Sequence, residues 1–152
     1  MADELSATFE RLRTSTQRLN NITDLAAQAI KDVEWFLEES GVGMTASALI
    51  HYTGHPDAEP EGWVNLEYRR VPGGKFRIAV VRVRNREREP EEESVRPWPE
   101  CTREEKLESF QQLPALLAAL TERIEERVAA AEKIIAEVAP STLLSRKRKG
   151  GA

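Results

Sequence analysis

The sequence predicts an α+β fold in which two long helices flank a three-stranded antiparallel meander. Three observations predict it. Apolar residues recur at steps of three and four over 4–39 and again over 102–139. Between these segments, three runs alternate apolar and polar side chains at strand spacing. Gly41, Gly43 and the Pro72-Gly73-Gly74 turn punctuate the junctions.

The first segment carries a heptad seam: Leu5, Phe9, Leu12, Thr16, Leu19, Thr23, Ala26, Ile30, Val33 and Leu37. Ile22, Ala29 and Phe36 widen the stripe toward its C-terminal half, as in a helix that leaves a partner seam and enters a core. Thr16 and Thr23 weaken the seam and can fix its register. No glycine or proline interrupts 4–39, so at 1.5 Å per residue the helix reaches about 50 Å. Gly41 then supplies the stop of a C′ glycine. Leu5, Phe9, Leu12, Leu19 and Ile30 mark the seam, which either packs against the second helix of the same chain or meets a second copy. A helix this long beside so small a sheet favours the homodimer.

The meander spans 46–85, with strands over 46–53, 62–70 and 75–84. Val64, Leu66 and Tyr68 share one face of the second strand, and Phe76, Ile78 and Val80 share one face of the third. At Val80-Val81 the alternation breaks. Either a bulge restores it, or the strand end is apolar on both sides, or it leaves the sheet. Segment 86–101, acidic and containing Pro90, Pro97 and Pro99, reads as a loop. Thr102 to Glu105 matches a capping box and opens the second helix, which Pro114 kinks or breaks and Pro140 ends. The two helices form an antiparallel pair, and 141–152 is a disordered basic tail.

Net charge is only −4, but it is unevenly placed. Between 62 and 88 eight basic residues face two glutamates, and an acidic run follows over 87–93. Arg69, Lys75, Arg77, Arg82, Arg84 and Arg86 therefore form a candidate basic strand face for an acidic partner or for phosphate. The plainer account is a solvated face whose arginines pair with neighbouring glutamates. Arg146, Lys147, Arg148 and Lys149 form a second basic cluster.

Chemistry-bearing patterns are sparse. His51 and His55, followed by Asp57, Glu59 and Glu61, are the one candidate for a reactive or metal-binding cluster. The spacing starts in a strand and ends in a turn, so the rings need not converge. No nucleophile elbow, phosphate-binding glycine loop or paired-cysteine motif is present. No catalytic residue, metal or cofactor is assigned. A lone cysteine, Cys101, rules out an intrachain disulfide and fits a reducing compartment. The acidic N-terminus and the lack of a run of ~20 apolar residues predict a cytoplasmic protein outside the membrane.

Leu19-Asn20 with Asp24, Gly41-Val42-Gly43, and Leu113-Pro114-Ala115-Leu116-Leu117 together resemble a pattern in uncharacterised small bacterial and phage proteins. The resemblance covers most of 15–125 and implies the helix–meander–helix order. It implies no activity, and 126–152 fall outside it.

The function expected on these grounds is that of a non-catalytic interaction protein, an accessory subunit of a bacterial or phage-related complex. Its seams associate chains and its basic strand face docks an acidic protein partner. The alternative is a nucleic-acid-binding protein using that strand and the basic tail. A third is an enzyme with a site near His51 and His55.

Overall fold

The computed structural model describes residues 1–150, with side chains described for 1–139. Helix α1 (Ala2–Glu39) leads into strands β1 (Ala46–Thr53), β2 (Gly62–Arg70), β3 (Phe76–Arg84) and β4 (Glu92–Pro97). A short 3-10 turn (Trp98–Glu100) and helices α2 (Arg103–Phe110) and α3 (Leu113–Gly150) complete the order. The architecture is α+β, with helices at both ends of an antiparallel sheet of order β1-β2-β3-β4.

Helix α1 stops at a Schellman arrangement. Gly41, at φ +65°, donates its N–H to the Glu38 carbonyl, and Val42 donates to Leu37. Glycine adopts this backbone without the Cβ penalty that other residues meet. In α2 the Thr102 hydroxyl accepts the Glu105 N–H at 3.2 Å, as the capping box predicts. The second helical segment breaks at Gln111-Gln112, and Pro114 is the second residue of α3. Proline fits the first turn of a helix, where its missing N–H has no intrahelical partner to lose.

Register sorts the sheet into two faces. Ala46, Ala48, Val64, Leu66, Tyr68, Ile78 and Val80 point to one of them. They pack with Ala26, Ile30 and Leu37 of α1, Trp98, Cys101, and Leu113, Leu116 and Leu120 of α3. The other face carries Leu49, Tyr52, Trp63, Asn65, Glu67, Arg69, Arg77, Ala79, Val81 and Val83. Ala79, Val81 and Val83 are buried but stand outside the helix-packed cluster. Their shelter comes from flanking side chains of adjoining strands, among them Asn65, Glu67 and Val95.

Several expectations need correction. The meander has four strands, not three. The acidic stretch read as a loop contains β4, whose residues Glu92–Pro97 pair with Ala79–Arg84 of β3. Its prolines permit this: Pro90 precedes the strand and Pro97 closes it, on an edge where a missing N–H is tolerated. The charge break between basic β3 and the acidic run is therefore a strand pairing, with Glu92 opposite Arg84.

Of the alternatives at Val80-Val81, the structure shows the strand apolar on both sides and no bulge. β3 keeps unbroken register with β2 from Phe76 to Arg84. The irregularity lies in β1 instead, between Leu49 and His51. Helix α3 is assigned through Gly150, beyond Pro140, where the sequence predicts a stop. A proline inside a helix forfeits one helical hydrogen bond and can kink the helix without ending it.

The expected packing of the two long helices as an antiparallel pair is not found among the described residues: α1 meets β3 and α2, and α3 meets β1 and β2. Residues 1–22 of α1 and 125–138 of α3 are exposed on every side. The helices root in the core only where they cross the sheet.

Candidate functional site

The basic strand face is taken apart by register. Arg77 lies opposite Arg69, on the face away from the main core. Arg82 and Arg84 lie on the same side as Ile78 and Val80, beyond the part the helices cover. Four of the six cations have carboxylate neighbours. Arg69 pairs with Glu93 of β4 and, at 3.7 Å, with Glu67. Lys75 is 3.7 Å from Glu38, Arg77 is 3.6 Å from Glu34, and Arg86 is 3.6 Å from Glu61. Arg82 and Arg84 are exposed and have no ion pair among the described residues. These two arginines line a shallow cavity of about 720 Å³ at the sheet end, with Trp63, Glu61, Glu92 and Glu93. The cavity carries both signs of charge, so it does not present a uniform phosphate-binding field. The second basic cluster, Arg146, Lys147, Arg148 and Lys149, lies outside the described side chains.

The two histidines serve different places. His51 Nδ1 is 2.7 Å from Glu108 Oε1, a contact that ties β1 to α2. His55 Nδ1 accepts the Asp57 backbone N–H at 3.2 Å inside its own loop. Among the described residues, no group of three or more His, Cys, Asp or Glu side chains is arranged to hold a metal ion. None of the described helices is long and apolar enough to cross a membrane.

Glu34 is the carboxylate the sequence reading missed. It sits on α1 between Val33 and Trp35, and nothing in that spacing marks it. Its Oε1 accepts the Ile78 N–H at 3.3 Å, where β3 runs past the end of β4. Burial raises its pKa, against the opposing pull of the Arg77 guanidinium. Glu67, half-buried among strand side chains, is raised by burial as well. Cys101, buried beside Trp98, has its thiol pushed up to about 11 by burial and by nearby Glu105.

The helical arms leave apolar side chains available for contact. Along the seam of α1, Leu5, Phe9 and Leu12 are 57%, 59% and 60% exposed, and Leu19 and Ile22 are exposed too. Farther along the seam, Ala26, Ile30 and Leu37 turn inward and join the core. The seam therefore divides at about residue 25 into a rooted half and a free half. On α3, Val128, Ile134 and Ile135 repeat the pattern. Thr23, on the seam, returns its hydroxyl to the Leu19 carbonyl, so it adds no polar demand to the stripe.

No protein-family model matches this chain, and comparisons with curated proteins and with solved structures return no match.

Proposed function

We propose that this protein is a non-catalytic interaction protein, an accessory subunit whose small sheet roots two helical arms that associate chains. The observation that carries the reading is the α1 arm: its residues 2–22 are exposed on every side, with a periodic apolar seam along one of them. A lone helix of that length has marginal stability in water, because helices in proteins draw most of their stability from packing an amphipathic face. Each large apolar side chain gains about 1.5–3 kcal/mol on full burial. Leu5, Phe9, Leu12 and Leu19 from two chains together offer enough to offset the entropy of association.

The reactive side chains that would argue for an enzyme are engaged in holding the fold. His51 anchors α2, and His55 organises its own loop. A second surface supports docking of an acidic protein partner. Arg82 and Arg84 are exposed, free of ion pairs among the described residues, and adjacent to Trp63 in the sheet-end cavity. The same pair is the strand contribution to the nucleic-acid reading, which the carboxylate pairing of Arg69, Lys75, Arg77 and Arg86 weakens.

Light scattering behind size exclusion tests the arm reading. Wild-type protein at micromolar concentration is expected to run as more than one chain. Leu12→Glu is expected to shift it toward monomer while the near-ultraviolet signal of the folded protein is kept. A wild type that stays monomeric throughout that range removes the reading.

A further inference from the structure

Resting on that reading, we infer that the α1 arm pairs with the α1 arm of a second copy in antiparallel orientation, Phe9 of each copy facing Leu12 of the other. The arm's charge is split along its length. Residues 1–10 hold Asp3, Glu4 and Glu10 and no lysine or arginine. Residues 11–18 hold Arg11, Arg13 and Arg18 and no acid. Glu10 and Arg13 make a 3.8 Å pair on the helix itself, and both side chains remain well exposed. Asp3, Glu4, Arg11 and Arg18 have no ion pair among the described residues.

A parallel pair in register sets acid beside acid and arginine beside arginine, with both helix dipoles aligned. An antiparallel pair centred between residues 10 and 11 sets each acidic stretch beside a basic one and opposes the dipoles. The same centre satisfies the seam. Leu5 meets Thr16, Phe9 meets Leu12, and Ala2 meets Leu19, each layer joining complementary heptad positions. The pairing is isologous and closes as a dimer, so it does not propagate. It also clears the sheets. The root of α1 at Ala26 lies about 23 Å from that centre at 1.5 Å per residue, so the two sheets stand at opposite ends of the paired rod.

The test uses full-length protein with one added cysteine per chain. Thr8→Cys and Ser15→Cys are exposed, mild replacements at positions that this register brings side by side. Cys101 is buried with a thiol at about 11, so wild-type protein serves as the unreactive control. Each variant is first sized by light scattering, then treated with a short bismaleimide, alone and mixed one to one. The expected result is dimers throughout, with cross-linking at least fivefold greater in the mixture than in either variant alone. Dimers that link within each single variant, or do not link at all, overturn the antiparallel register and leave the association reading standing. Monomers in every sample overturn both. Raising salt should narrow the preference, because the charge contrast is exposed and screened over about 10 Å at 0.1 M.

Discussion

At Gly62 the backbones of β2 and β3 come so close that a Cβ would stand 2.0 Å from the Val83 carbonyl oxygen. The neighbour is backbone held between two strands, with Val83 opposite Trp63 of β2 and Glu93 of β4, so it cannot swing aside. Gly62→Ala is expected to lose about 1–3 kcal/mol of stability, by the overpacking that such an insertion forces. A urea melt would show this as a lower midpoint with an unchanged slope. Trp98 is a different residue-level lesson. Prolines on both sides make it look like part of a loop, yet it is 1% exposed and its indole N–H donates to Ser109 Oγ at 3.1 Å. Sequence periodicity has no power over a lone aromatic in a turn. Its neighbour Cys101 gives a second prediction. With its thiol at about 11 and its side chain buried, alkylation at pH 8 should run at least tenfold slower in native protein than in denaturant. Equal rates would show that the core around Trp98 opens freely.

Among the elements, helices and the first three strands were legible because their signals are local. A heptad seam, a capping threonine and a glycine stop each depend on a few neighbouring residues. β4 was not legible, because what makes it a strand is its partner. An acidic hexapeptide has no strand preference of its own, and it pairs here beside a basic strand whose edge was open. The basic face failed for the related reason that it was counted along the chain. Alternation places Arg77 on one side of β3 and Arg82 and Arg84 on the other. Glu34 joins α1 to β3, and its pH behaviour follows from its raised pKa. The folded state holds the proton more tightly than the unfolded chain does. Its contribution is therefore fully present below the ordinary value of 4.5 and is lost as pH rises through the folded pKa. Glu34→Gln keeps an acceptor for Ile78 and removes the titration. Lowering the pH from 7 toward 4 should move the stability difference between the two proteins in favour of wild type. A difference that stays flat over that range would show that burial does not perturb Glu34.

At the scale of the molecule, Arg69, Lys75, Arg77 and Arg86 of the meander keep carboxylates close, while the apolar seams of the arms stand without a cover among the described residues. Ion pairs such as Lys75 with Glu38 and Arg86 with Glu61 are solvent-exposed and contribute little to stability, but they cancel the charge excess that the sequence concentrates in the meander. The arms are left as the surfaces with most to gain from contact. Glu34 has one more consequence at this scale. β4 ends opposite Ala79, so the backbone of β3 before that point would otherwise be an open template for strand addition. A carboxylate on α1 occupies the Ile78 donor there. A foreign strand recruited to that short stretch of β3 would first have to peel the rooted half of α1 away.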